Sequence, residues 1–169
     1  MTSHSERKIL PYRADQMYEL VADVEKYPSF IPWCVALRVR NREIVDELEL
    51  LTADMAVAFK VFREQFTSRV SLDPGQNFIE VQYIDGPFRY LTNRWAFENN
   101  NEGGCTVDFF IDFEFRSKTL QKLMSQVFTK AVLKMVGAFE DRAHVLYRDA
   151  HQTVTAPIPT LNPVDVGEA

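Results

Sequence analysis

The chain has 169 residues, with 19 basic and 24 acidic side chains and a formal net charge of −5. That balance argues against general nucleic-acid binding and leaves DNA out as a partner. Hydrophobic residues make up 46% of the chain and 13 of its residues are Phe, enough for one domain core and for the lining of a cavity as well.

Two cysteines, Cys34 and Cys105, are too few for a disulfide scaffold and read as reduced core thiols. No run of 18 apolar residues is present, and the start, MTSHSERKIL, lacks the apolar core of a signal peptide. A cytoplasmic protein fits these features.

The elements follow in chain order. Lys8 to Tyr12 suits a first strand, and Pro11 places it at a sheet edge or a strand end. Ala14 to Val24 has helical spacing, with Met17, Leu20, Val21 and Val24 in one stripe. The next segment, EKYPSFIPWC (25–34), holds two prolines within five residues, which forbids a long helix or a central strand. It nevertheless carries Tyr27, Phe30, Ile31 and Trp33, so it must pack on something or form the lip of a hole.

About six strands follow. Val35, Leu37 and Val39 alternate with Arg38, Arg40 and Arg42; Leu48 and Leu50 alternate with Glu47 and Glu49. Met55, Val57, Phe59 and Val61 form another alternating run, and Phe66, Val70 and Leu72 alternate with Thr67, Arg69 and Ser71. Ile79, Val81 and Tyr83 come next, then Leu91, Asn93, Trp95 and Phe97. Cys105, Val107, Phe109, Ile111, Phe113 and Phe115 alternate most cleanly, with Asp108, Asp112 and Glu114 on the wet face. Such alternation predicts an antiparallel meander with one buried face.

From Ser117 to about Ala150 the chain has no proline and one glycine, and apolar residues recur at three and four. Leu120, Leu123, Met124, Val127, Phe128, Ala131, Met135, Ala138, Phe139, Ala143 and Leu146 form the apolar face, with Ser117 as N-cap. Such a helix is longer than the expected diameter of the domain, so it should protrude, break or bend, with Gly137 as the bend point. A curved sheet wrapped around this helix gives an α+β fold with an apolar cavity between the two. Residues 1–151 form the predicted domain, and residues 152–169, with three prolines and no periodicity, a disordered tail.

No GxGxxG, P-loop, HExxH, GxSxG or CxxC motif is present. His4, His144 and His151 lack metal-ligand neighbours at familiar spacing, so no metal and no catalytic residue is assigned. Glu64, Ser68 and Asn93 fall in the inward phase of their strands, and a polar group there needs a partner, either protein or the head of an oily ligand. Lys118, Lys122, Lys130 and Lys134 form one basic row on the helix; Arg38, Arg40 and Arg42 form a second. These read as solvated faces or as contacts for anionic lipid or RNA.

YPSFIPWC (27–34), FREQFTSRV (62–70), GPFRYLTNRWAF (86–97), CTVDFFIDFEFRS (105–117) and MVGAFEDRA (135–143) together resemble the coenzyme Q-binding START-domain family of the polyketide cyclase/dehydrase-like superfamily. The resemblance runs from about Ser5 to His151. It implies a helix-grip (START/Bet v 1-like) fold, with six to seven strands wrapped around the C-terminal helix. It implies a non-catalytic carrier or chaperone of ubiquinone that supports respiratory electron transport, in a bacterial cytoplasm and peripheral to the inner membrane.

The same family includes the bacterial ribosome association toxin, which gives the alternative of a ribosome binder that blocks subunit joining. A cyclase or hydratase has Glu64 alone in its favour. From strand phase and helix face, the ligand-binding residues are Tyr27, Phe30, Trp33, Phe59, Phe66, Asn93, Trp95, Phe109, Phe113, Val127, Met135 and Phe139. On this placement, Val127→Trp would fill the cavity.

Overall fold

The computed structural model describes residues 2–155, with side chains through residue 147. Strand β1 (Thr2–Leu10) leads into helix α1 (Ala14–Ala22) and a short 3-10 helix (Val24–Ser29). Strands β2 (Cys34–Val45), β3 (Leu48–Phe59), β4 (Phe62–Asp73), β5 (Phe78–Asp85), β6 (Phe88–Asn99) and β7 (Cys105–Phe115) follow. Helix α2 (Lys118–Thr155) ends the described chain. The strands form one antiparallel sheet in the order β1-β7-β6-β5-β4-β3-β2, so the first strand closes beside the last. The sheet curves around α2 with its aromatic face inward, as the strand alternation predicts.

The packing of sheet and helix follows from two periodicities. On β7, Cys105, Val107, Phe109, Phe113 and Phe115 are buried at every second residue, interrupted only by the partly buried Ile111. On α2, Met124, Phe128, Val132, Met135, Val136, Phe139 and Ala143 are buried. The rings meet across the interface: Phe113 and Phe128 have centroids 4.9 Å apart, and Trp95 and Phe139 5.0 Å. Ser117 caps α2, its hydroxyl accepting from the Leu120 amide at 3.2 Å. The start of α1 is held from outside, as the Ala14 amide donates to Asn99 Oδ1 at 2.8 Å.

Several expectations are corrected. Strand β1 begins at Thr2, well before Lys8, because it is an edge strand whose partner β7 is long enough to pair along its full length. Helix α1 stops at Ala22, and Val24 opens the 3-10 helix that contains Pro28. The segments around Leu48–Leu50 and Met55–Val61 belong to one strand, β3, whose inward phase is odd-numbered: Leu51, Ala53 and Val57 are buried, while Leu48 and Leu50 are only partly so. Val61 falls outside it in the turn and is 80% exposed. Val35 is also exposed, because the register of β2 against β3 shifts between Cys34 and Ala36.

Helix α2 is not broken at Gly137 and runs past Ala150. Its 38 residues at about 1.5 Å each span roughly 57 Å. Leu123 and Leu146, expected on its buried face, are exposed, whereas Val132 and Val136 take that face. Residues 152–155, expected in the tail, lie in this helix. The rest of the predicted tail, 156–169, lies outside the described residues.

Candidate functional site: an apolar cleft between sheet and helix

Two chambers lie between the concave sheet face and α2. The first, of about 110 Å³, is walled by Val24, Tyr27, Ile31 and Trp33 from the loop region after α1 and by strand residues including Phe66, Ser68, Asn93, Trp95 and Ile111. Met135 and Phe139 of α2 close it. The second, of about 140 Å³, is walled by Phe59, Phe62, Phe66, Phe88, Phe113 and Phe115 from the sheet and by Met124, Phe128, Ala131, Val132 and Met135 from α2. Trp33, Phe66, Leu91, Ile111 and Met135 line both chambers, which makes them two ends of one cleft. No charged side chain lines either chamber.

The sequence explains why this space stays open. Aromatic rings from different strands pack edge-to-face on one another rather than filling the centre: Phe88 of β6 meets Phe66 of β4 at 5.2 Å and Phe113 of β7 at 5.7 Å. Small or flexible residues, Ala53, Met55, Ala131 and Met135, occupy the facing positions.

The polar groups of the first chamber divide into two kinds. Asn93 Nδ2 donates to the Phe110 carbonyl at 2.8 Å, and its Oδ1 accepts from Trp95 Nε1 at 2.9 Å. The Tyr27 hydroxyl donates to the Val21 carbonyl, and burial pushes that phenol well above its ordinary pKa. In contrast, Ser68 Oγ and Trp33 Nε1 are buried without a hydrogen-bond partner.

Most of the predicted site residues come together here. Tyr27, Trp33, Phe59, Phe66, Asn93, Trp95, Phe113, Met135 and Phe139 line one or both chambers. Three do not. Phe30 packs on the outer side of Phe139, with ring centroids 5.3 Å apart, beneath the Arg142 guanidinium. Phe109 stands behind Trp95 at 4.7 Å. Val127 lies one turn before Ala131 and packs partly buried against the core, but it lines neither chamber.

Glu64, expected to face inward, is exposed, while Ser68 keeps the inward phase. Of the wall residues not assigned to ligand binding from the sequence, Leu91 was legible as an inward strand position, whereas Val132 was absent from the apolar face expected of the helix.

The other expected features also find places. Asp108 pairs with Arg7 at 2.7 Å and Glu114 with Arg89 at 3.1 Å on the outer sheet face. Of the β2 arginines, Arg40 is taken by Asp54, and Arg42 by Glu25 and Glu49. Lys118, Lys122, Lys130 and Lys134 are exposed on α2. Lys130 and Lys134 border a surface groove with Lys60, whose floor shares Trp33 and Phe59 with the second chamber.

Cys34 and Cys105 are buried and unlinked, and burial pushes each thiol up to about 11. Among the described residues no cluster of potential metal ligands occurs, and no helix is long and apolar enough to cross a membrane.

Residues 10–140 match the model of a family described as polyketide cyclase / dehydrase and lipid transport. The Ribosome association toxin RatA of Rickettsia prowazekii is 38% identical over 149 residues, covering 85% of this chain and 97% of that one. The mitochondrial Coenzyme Q-binding protein COQ10 homolog B of Xenopus laevis is 34% identical over 148 residues, covering 85% of this chain and 59% of that one. Among solved structures, an 18 kDa protein from Caulobacter crescentus superposes with a TM-score of 0.74 at 35% identity, covering 87% of this chain and 99% of that one. The Zhui aromatase/cyclase from a Streptomyces species shares the fold alone, with a TM-score of 0.71 at 16% identity over 85% of this chain and 95% of that one.

Proposed function

The chain belongs to the polyketide cyclase / dehydrase and lipid transport family, and from that premise we propose that it binds an isoprenoid lipid of the ubiquinone type in the cleft and carries it without catalysing a reaction. The observation that carries this reading is the continuity of two uncharged chambers whose shared walls are Trp33, Phe66, Leu91, Ile111 and Met135. A charged aqueous substrate finds no counter-charge there, whereas apolar surface gains about 25 cal/mol per Å² on leaving water.

The chambers also limit the ligand. A dry cavity of about 150 Å³ holds a benzene-sized group; chambers of about 110 and 140 Å³, joined in one cleft, therefore take together about one ring and roughly one isoprene unit. The rest of a long tail leaves past Trp33 and Phe59, beside the groove bordered by Lys60, Lys130 and Lys134. There it meets the bilayer from which the ligand is drawn, with the lysines against anionic headgroups.

Protein purified from a quinone-producing host and extracted with organic solvent should yield ubiquinone close to one per chain by ultraviolet absorbance and mass spectrometry. An empty extract, also after incubation with quinone-containing membranes, refutes the carrier.

A second reading is favoured by the near full-length match to RatA of Rickettsia prowazekii. In it the lysines exposed on α2 meet ribosomal RNA phosphates, and the cleft is structural. Growth arrest on overproduction with a loss of joined ribosomes in sucrose gradients supports it, and normal profiles count against it.

A further inference from the structure

Ser68 is 6% exposed and faces the first chamber, yet its Oγ has no hydrogen-bond partner. Trp33 Nε1, in the wall of the same chamber, has none either. The remaining polar side chains of that wall, Tyr27, Asn93 and Trp95, satisfy each other or the backbone. Tyr83, the register partner of Ser68, also has an unpartnered hydroxyl, but it lies outside both chamber walls.

A buried polar group without a partner costs stability, and in a native structure such a group asks for an explanation. Both atoms here are donors, and the Trp indole can only donate. A partner that serves both therefore presents an acceptor atom, as a carbonyl oxygen does. No cationic side chain lines the chamber, so that oxygen belongs to an uncharged group and not to a phosphate or carboxylate.

We propose that Ser68 and Trp33 select a carbonyl-bearing ring, which enters the first chamber head first and accepts hydrogen bonds from Ser68 Oγ and Trp33 Nε1 while its tail occupies the second chamber. This rests on the cleft being a lipid site and adds which end of the ligand is read and by which residues. The two tryptophans in the wall, Trp33 and Trp95, supply the readout, since a bound quinone quenches their fluorescence.

The test compares two probes with the same tail, a decyl-substituted benzoquinone and decylbenzene, on the wild-type chain and on Ser68→Ala and Trp33→Phe, with Trp95 reporting in the latter. Each substitution should weaken the quinone roughly three- to tenfold, the equivalent of one net hydrogen bond, and leave decylbenzene within about twofold. Ser68→Ala should fold with an undiminished melting temperature, because it removes an unpaired hydroxyl.

Unchanged quinone affinity in both variants overturns the proposal, as does an equal loss for both probes, which would mark a packing effect. Binding of decylbenzene but not the quinone by the wild-type chain overturns the donor assignment alone. Binding of neither overturns the lipid-site reading beneath it.

Discussion

Substituting Ala131 by Phe tests whether the cleft is where the ligand sits. Ala131 lines the second chamber from α2, on the side opposite Phe59 and Phe113. At about 24 cal/mol for each Å³ of cavity, a chamber of about 140 Å³ represents about 3 kcal/mol of unrealised packing. A phenyl group recovers part of this, offset by the strain of fitting a rigid ring between existing ones, for a net gain of about 1 kcal/mol. In a chain of this size that raises the melting temperature by roughly 2–4 °C. The same ring occupies the path of the tail, so ubiquinone recovered by extraction should fall to background. The assay is a thermal melt and an extraction on the same preparation. A folded variant of equal or higher melting temperature that still carries ubiquinone at the wild-type ratio would refute the placement of the ligand.

Two further perturbations probe the frame of the site. Gly86 has φ of +141°, and a Cβ there would lie 2.6 Å from Phe66 Cβ, so Gly86→Ala should cost about 1–3 kcal/mol in urea unfolding and push Phe66 into both chambers; a neutral effect would count against that close approach. Asp54 accepts from Arg40 Nε at 2.6 Å and from Thr67 Oγ1 at 2.5 Å, and these bonds hold its carboxyl down at about 2. Because the folded-state pKa is depressed, this contribution is present above the unfolded carboxylate pKa, about 3.9, and is lost as pH falls through the folded value. The melting-temperature gap between wild type and Asp54→Asn should therefore be widest near neutrality and narrow below about pH 4; a gap independent of pH would show that the substitution acts by another route.

The sequence alone determined the succession of elements, the antiparallel sheet, the capped terminal helix and the apolar character of its contact with the sheet. These follow from periods of two and of three to four residues, which are local properties of the chain. It also placed Ser68 and most of the cavity aromatics on inward faces, and Trp33 in the loop at the lip.

What it could not determine lies in register and rotation. A bulge in β2 turned Val35 outward, and the odd phase of β3 made Leu51 rather than Leu50 the core residue. The rotation of α2 put Ala131 rather than Val127 at the cleft. Whether Asn93 or Ser68 stays unpaired depends on backbone and indole groups brought in from other residues, Phe110 and Trp95 for Asn93 and none for Ser68. Satisfaction of a buried donor is a property of the assembled neighbourhood and not of its own strand, so only the tertiary structure distinguished a filled polar position from an open one.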